Sequence, residues 1–232
     1  MSAEPYVAES VPMQSGRAPS KPLLRGWFHA VAAVAGLGVA ASVWLLAVDE
    51  LPRSLSLVVY GLSVAAVFGL SAVYHIGHWQ PSVSLRLRSL DHAGIFVLIA
   101  GICTPYLMHA LAGWERAAVL TAIWIQALVG VIFIATTLRL PRWASTALYF
   151  TMGWPAFIIL SKLIGAVPHV TLALILFTVA LYSVGAVVYA IQRPNPWPRV
   201  FGFHEIFHVL VVAAVAVNTW VVWVWIVPYP RA

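Results

Sequence analysis

Long apolar runs alternate with short polar connections along the chain, and this pattern predicts seven membrane-spanning helices. Each run is close to the roughly 20 residues that a helix needs to cross the hydrocarbon core of a bilayer. Because the connections are too short for a second domain, the pattern predicts an all-α integral membrane protein folded as a seven-transmembrane helix bundle. The predicted spans cover residues 26–48, 55–76, 92–111, 117–138, 143–164, 168–191 and 203–227.

Two of these spans contain residues that bear on how the helices pack. The first carries small residues such as Gly36 and Ala40, which suit close packing between membrane helices. The fifth contains Pro155. Proline lacks a backbone N–H and clashes with the carbonyl four residues earlier, so we expect a kink there, or neighbouring groups that satisfy the freed carbonyl.

The residues before the first span do not read as a secretory leader. A signal peptide has a basic stretch followed by an apolar one. Residues 1–22 contain Pro, Ser and Glu and lack this pattern. We therefore expect 1–22 to be a disordered cytoplasmic tail, and 23–232 to be the transmembrane domain.

Composition supports membrane insertion and excludes several other classes. Hydrophobic residues make up 62% of the 232 positions and charged residues 9%, against about 25% charged residues in a soluble domain. The formal net charge is +6, but an excess of Lys and Arg in a multi-pass protein marks cytoplasmic loops, so we expect no nucleic-acid partner. Cys103 is the only cysteine, which excludes an internal disulfide and a zinc cluster built on thiolates.

The distribution of Lys and Arg between alternate connections predicts the orientation. Cytoplasmic loops carry the excess of these residues. We therefore expect a cytoplasmic N-terminus and, with an odd number of spans, a C-terminus outside. Nine Lys and Arg residues lie on the same side of the membrane as the N-terminus, namely Arg17, Lys21, Arg25, Arg86, Arg88, Arg139, Arg142, Arg193 and Arg199. Four lie on the opposite side, namely Arg53, Arg116, Lys162 and Arg231.

Polar residues from three spans are predicted to meet at the cytoplasmic end of the bundle. Ser71 and His75 lie where the second span ends, Asp91 where the third begins, and His204 and His208 where the seventh begins. Because these spans run in alternating directions, all five residues fall at one membrane depth. Polar groups in membrane segments are expensive and usually have a partner or a task, so we predict a single site.

The residue types in this site favour a catalytic zinc. His204 and His208 are four apart, on one face of a helix, and can hold one metal ion together with His75. Three protein ligands and one open position for water are typical of catalytic zinc, whose bound water has a pKa near 7. Asp91 could hold that water or shuttle its proton, and Ser71 could steady an oxyanion or orient the water.

Each of these residues also has a structural interpretation. His204 and His208 could be an interfacial pair that bonds to loop carbonyls. Asp91 could cap the third helix or pair with Arg88. Ser71 could be a small residue that packs between membrane helices.

The remaining histidines are weaker candidates. His78 could replace His75 as a ligand, but we expect it in the loop that follows. His92 is expected at a solvated interface, and His109 and His169 belong to the opposite side and receive no role. His29 lies on the cytoplasmic side but has no partner at a suitable spacing.

The segment 204–208 also matches the His-Glu-x-x-His pattern of zinc proteases, in which the glutamate is the general base. The match is short, and Asp91 at the same depth offers another base. Glu205 could instead be a first-turn carboxylate that the helix dipole stabilises. No Leu-Asp-Gly element occurs in another span, which disfavours an intramembrane protease.

Three blocks of sequence surround the candidate residues: SAVYH at 71–75, LDHAGIFVLIAGICTPY at 90–106 and FGFHEIFH at 201–208. These blocks resemble the signature of the hemolysin III family, the bacterial arm of the progestin and adipoQ receptor family that includes the adiponectin receptors. Their order and spacing match the family, and the spans cover nearly the whole chain beyond the tail. The chain is therefore identified as a member of this family.

The resemblance implies a seven-helix bundle with a cytoplasmic N-terminus. It also implies zinc bound by His75, His204 and His208, with Asp91 contacting the zinc-bound water and Ser71 nearby. Eukaryotic relatives and the related alkaline ceramidases are associated with hydrolysis of lipid amides. Bacterial members are named for cytolysis and linked to membrane lipid homeostasis.

One position departs from the family pattern. Many bacterial members carry another histidine fourteen residues after the first of the pair, where this chain has Asn218. On a helix this position is about 21 Å further along the axis, which is too far to share the same metal. The departure therefore leaves the predicted zinc site intact.

Together these observations predict a zinc-dependent hydrolase of membrane lipid amides or esters in the bacterial plasma membrane, with a lipid as substrate and a role in lipid homeostasis. Two alternatives stay open: a non-enzymatic receptor-like or membrane-stress protein with structural zinc, and an intramembrane zinc protease. A cytolysin is the least favoured, because the chain has no charged, water-lining helix.

Overall fold

The structure is a computed structural model that describes residues 22, 24–46, 51–137, 141–197, 199–226 and 228. Regular secondary structure in these ranges is helical, apart from one isolated bridge between Trp197 and Phe201. The tail expected at 1–22 lies outside the described residues, except for Pro22.

The described part of the chain forms eight α-helices, of which two are halves of one interrupted span. A 3₁₀ turn, Thr151–Gly153, joins α5 to α6, and a π-helical turn, Val222–Ile226, extends α8. The helices are α1 (Trp27–Leu46), α2 (Leu51–Ile76), α3 (Pro81–Ala110), α4 (Gly113–Thr136), α5 (Arg142–Phe150), α6 (Trp154–Leu163), α7 (His169–Ile191) and α8 (Phe203–Val221).

These helices form the predicted bundle. Six segments are long and apolar enough to cross a membrane, namely α2, α3, α4, the α5–α6 pair, α7 and α8. The apolar helix α1 has 20 residues and packs against α2 and α8. The prediction of an all-α, seven-helix membrane protein is therefore confirmed, whereas the direction of crossing stays a prediction.

The outer surface of the bundle is apolar along its spans. In water such a surface would be a large exposed hydrophobic patch, but in a bilayer it faces lipid tails. Large apolar side chains point outward from α4 and α7, among them Ile125, Leu128, Val129, Ile132, Leu176, Phe177, Val184 and Val187.

Small residues bring α1 and α2 into close antiparallel contact. A Cβ built on Gly61 would lie 2.8 Å from the Cα of Ala40, and one on Gly36 would lie 2.9 Å from the backbone nitrogen of Ala65. Side chains at these glycines would force the helices apart. These contacts share one register, in which the numbers of two facing residues add up to about 100. The same register brings the start of α1 against the end of α2.

The expected break at Pro155 is confirmed. The α-helix stops at Phe150 and resumes at Trp154, so that Pro155 falls in the first turn of α6, where its missing N–H leaves no bond unmade. The carbonyl of Thr151, four residues earlier, accepts a 3.0 Å hydrogen bond from Nε2 of Gln126 on α4. A neighbouring helix thus satisfies the carbonyl that proline frees.

The start of α3 differs from the prediction. The apolar pattern places the third span at 92–111, but the helix begins at Pro81, which occupies its first turn. The added turns carry Ser84, Arg86 and Arg88. Hydropathy detects only the part of a helix that suits hydrocarbon, so the polar extension was missed. Asp91 consequently lies well inside the helix, and the interpretation that it caps α3 is wrong.

Candidate metal centre

Three imidazoles from two helices converge at one end of the bundle. His75 lies at the end of α2, and His204 and His208 lie one turn apart at the start of α8. One nitrogen from each ring lies within 4.8 Å of the others. His75 and His208 are buried and His204 is half-buried, so the cluster is a buried polar centre inside an apolar bundle.

The spacing of His75 and His204 is compatible with a shared zinc ion. Nε2 of His204 lies 3.2 Å from Nε2 of His75, and two nitrogens bound to one tetrahedral zinc at about 2.0–2.1 Å are about 3.3 Å apart. Such a short approach of a buried and a half-buried imidazole suits a shared metal ion. In addition, Nδ1 of His208 is buried without a hydrogen-bond partner among the described residues.

Asp91 lies on the side of His75 that faces His204. Its Oδ2 is 3.5 Å from Nε2 of His75, the same nitrogen that approaches His204. A carboxylate that only oriented the ring would contact the opposite nitrogen, Nδ1. No ion pair joins Asp91 to Arg88, both of which the structure describes, so Asp91 contacts the nitrogen of His75 that faces His204 instead of pairing with arginine.

Glu205 is committed to the local structure of α8. The helix begins at Phe203, and the backbone N–H of Gly202 donates a 2.8 Å hydrogen bond to Oε2 of Glu205. Oε1 accepts a 2.7 Å hydrogen bond from Nε of Arg25, and the glutamate is fully buried. The interpretation of Glu205 as a first-turn carboxylate is confirmed. Both carboxylate oxygens of Glu205 accept hydrogen bonds, and these bonds stabilise the first turn of α8, which carries His204.

Ser71 is buried one turn deeper than His75, and it contacts His29 on α1 as well as Asp91 on α3. Ser71 Oγ lies 2.8 Å from Nδ1 of His29. The α1–α2 register brings the two together, and it also brings Gly26 so close that a Cβ there would lie 2.9 Å from the Cβ of His75. Gly26 also has a φ of +88°, which glycine adopts without strain.

His29 is the residue of this centre that the sequence did not reveal. It is buried, and its ring stacks on that of His208 at a centroid distance of 3.7 Å and an interplanar angle of 13°. One signal was available, namely a histidine inside an apolar span. The sequence gives no spacing that relates it to α2 or α8, because its contacts arise only from packing.

The other histidines lie outside this cluster. His78 is exposed in the connection after α2, as expected, and His169 is exposed at the start of α7. His92 was expected at a solvated interface, but it is half-buried, and its Nε2 lies 3.3 Å from the hydroxyl of Tyr189. His109 lies in the last turn of α3, far along that helix from Asp91.

Asn218 belongs to a separate polar group deeper in the bundle. Its Oδ1 accepts a 2.8 Å hydrogen bond from the hydroxyl of Tyr106 on α3. On the same turn of α8, Thr219 shares a hydrogen bond with Tyr60 of α2. These contacts tie α8 to α2 and α3 about four turns away from His204.

Comparison with known proteins relates the chain to one group. A family model described as "Haemolysin-III related" matches residues 18–219. The chain is 32% identical over 170 residues to "Hemolysin-3" of Bacillus cereus, covering 73% of this chain and 74% of the relative. It is 30% identical over 162 residues to a "Hemolysin-3 homolog" of Bacillus subtilis, covering 69% and 72%. The human "Monocyte to macrophage differentiation factor" is 24% identical over 182 residues, covering 75% and 72%.

Proposed function

The chain belongs to the haemolysin-III-related family of multi-pass membrane proteins, and we propose that it is a zinc-dependent hydrolase of membrane lipid amides or esters. The observation that carries this proposal is the convergence of three imidazoles with the carboxylate of Asp91 in a buried centre. His75, His204 and His208 would hold the ion. It would polarise the carbonyl of the substrate and make a nearby water more acidic.

Asp91 is placed to handle the proton of the attacking water. Its Oδ2 lies beside the metal-facing nitrogen of His75, where it can accept a proton as general base. The same proton can then pass to the leaving nitrogen or oxygen, as general acid catalysis requires. General acid–base catalysis of this kind typically contributes about 10²–10⁴-fold in rate.

Ser71 is placed to donate a hydrogen bond to the substrate. Nε2 of His29 is buried without a hydrogen-bond partner in the described structure. An unpaired buried N–H is rarer than an unpaired acceptor, which favours the tautomer that carries its proton on Nδ1 and donates it to Ser71. The hydroxyl of Ser71 then has its own proton to donate, either to the carboxylate of Asp91, with which it interacts, or to the oxygen that becomes negative during hydrolysis.

The depth of the centre supports a lipid as substrate. His75 is the second-last residue of α2 and His204 the second residue of α8, so the centre lies at the ends of spans rather than in the middle of the bilayer. The amide and ester groups of lipids lie in this region, between the polar headgroups and the hydrocarbon core. An acyl chain could remain beside the apolar helices while its carbonyl enters the centre.

The geometry disfavours the protease alternative. A general base in the His-Glu-x-x-His pattern needs a free carboxylate, whereas both oxygens of Glu205 are bonded, one to Arg25 and one to the N–H of Gly202.

Burial of His75 and His208 favours a second candidate, in which the metal only stabilises a receptor-like bundle without turnover.

A direct test combines metal content with lipid turnover. The full chain, purified in detergent with zinc present, is analysed for zinc per chain and then incubated with mixed micelles of N-acyl lipids or phospholipids. We expect about one zinc per chain and release of free fatty acid, both lost in His204→Ala and both retained in His78→Ala, which changes an exposed histidine. Zinc without fatty-acid release from any lipid class would favour the receptor-like candidate, and absence of zinc would overturn both.

A further inference from the structure

His29 lies in a sandwich of rings at the centre. On one face it stacks on Phe68, at 4.7 Å between centroids and 25° between planes. On the other face it stacks on His208, at 3.7 Å and 13°. Its Nδ1 contacts Ser71. Helix α1 therefore reaches both α2 and α8 through this single side chain.

The ring of His208 is in face-to-face contact with the ring of His29. In most metal sites the second ring nitrogen donates to a carboxylate, a backbone carbonyl or water, which fixes the plane of the ring. Nδ1 of His208 is buried and has no such partner in the part of the chain that the structure describes. Rotation about χ2 of histidine is otherwise soft. Among the described residues, His29 is placed to restrain the plane of this ring by stacking on it.

His29 does not act as a fourth ligand in this arrangement. A metal ion binds an imidazole nitrogen in the plane of the ring, along its lone pair. The rings of His29 and His208 are nearly parallel and stacked, so the in-plane lone pairs of the two rings do not converge on one point. The contact between the two residues is therefore face to face, and it is suited to orienting a ring.

We propose that His29 is a positioning residue, which holds the ring of His208 in its metal-binding orientation by stacking and holds the hydroxyl of Ser71 by a hydrogen bond. Stacking on His208 restrains the plane of its ring. The fixed register of α1 on α2, together with Phe68 behind the ring, keeps His29 in place. This inference rests on the metal site of the proposed function, but it does not require that lipid is hydrolysed.

Two substitutions at this position separate stacking from packing. His29→Phe and His29→Leu both remove the hydrogen bond to Ser71 and both fill the space with apolar atoms, but only phenylalanine keeps a ring between Phe68 and His208. Loss of an orienting contact typically weakens metal binding by about 10–100-fold. We expect about a tenfold weaker affinity in His29→Leu, and an affinity within about threefold of wild type in His29→Phe.

The measurement is the binding of zinc and of cobalt(II) to the full chain in detergent micelles. Zinc affinity is obtained by competition with a chelator, and cobalt reports the coordination geometry through its visible absorption. His29→Leu should shift and weaken the cobalt bands, whereas His29→Phe should keep them. Thermal melting of the helical signal for each variant shows whether the bundle is intact.

The outcomes separate this inference from the proposed function. Wild-type affinity and cobalt spectrum in His29→Leu would overturn the positioning role, as would equal losses in both variants. Ser71→Ala, which leaves the stack untouched, should bind metal within about threefold of wild type, and a tenfold loss there would show that the hydrogen bond rather than the stack orients His208. A wild-type chain that binds no metal would overturn the proposed function as well.

Discussion

Nε of Arg25 donates a 2.7 Å hydrogen bond to the fully buried carboxylate of Glu205, and this ion pair ties the turn that precedes α1 to the first turn of α8. In sequence, Glu205 lies between His204 and His208, the two histidines at the start of α8. The contact spans 180 positions of sequence. It fixes the end of the bundle at which the candidate metal centre lies.

Breaking this pair should destabilise the bundle. Arg25→Met leaves Glu205 buried and charged without its cation, and removing one partner of a buried pair costs up to about 3–5 kcal/mol. We expect the lower part of that range, because the arginine side chain is 25% exposed. Thermal melting of the helical signal in detergent measures the loss. The double variant Arg25→Met/Glu205→Gln should regain part of it, and equal melting of all forms would contradict the prediction.

The two acidic residues of the centre should differ in their effects on turnover. Asp91→Asn removes the proposed base and should lower lipid hydrolysis by about 10²–10⁴-fold while zinc stays bound. Glu205→Gln keeps an acceptor for the N–H of Gly202 and should leave measurable activity. Steady-state release of fatty acid, with zinc content measured in parallel, gives both values. The reverse pattern would favour a protease-like use of Glu205.

Removal of the metal should stop the reaction without unfolding the protein. A chelator should abolish fatty-acid release, and added zinc should restore it, because the three imidazoles stay in place on α2 and α8. Helical circular dichroism and size-exclusion profiles should remain unchanged. Loss of helical signal on chelation would mean that the ion is needed for the fold, as in structural zinc sites.

Two glycines near α1 should respond in opposite ways to alanine. Gly26 has a φ of +88°, and a Cβ there would lie 2.9 Å from that of His75, so Gly26→Ala should cost about 1–3 kcal/mol and weaken metal binding. Gly38 has nothing within 4 Å of its Cβ position, and Gly38→Ala should be neutral or stabilise the helix by up to about 1 kcal/mol. The melting temperature and zinc affinity of each of the two variants test this prediction. Similar values for Gly26→Ala and Gly38→Ala would contradict the close contact at Gly26.

Asn218 should matter for stability and not for the metal. Asn218→Leu leaves the hydroxyl of Tyr106 without its acceptor, and hydrogen bonds between membrane helices are worth about 0.6–1.7 kcal/mol. We expect a loss of this size with zinc affinity unchanged, since the residue is about 21 Å along the axis from His204. Adding Tyr106→Phe should recover most of the stability. A changed zinc affinity would show that the two polar groups are coupled.

The sequence by itself determined the helical class and most of the spans. Transfer from water to hydrocarbon depends on local composition, so the apolar runs located six segments that could cross a bilayer, together with α1. Pro155 located the break between α5 and α6, because the missing N–H acts on its own helix. Spacing by four placed His204 and His208 on one face, and the alternation of helix direction placed His75 at the same end.

Only the tertiary structure decided which neighbours these residues have. A side chain in a bilayer can face lipid or protein at similar cost, so an apolar span carries little information about its rotation or its packing partner. The pairing of His29 with Ser71 and His208 follows from the α1–α2 register and the contact of α1 with α8. The ion pair of Glu205 with Arg25 arises in the same way. The sequence located the centre by membrane depth, and the packing of α1 against α2 and α8 decided how its side chains are oriented.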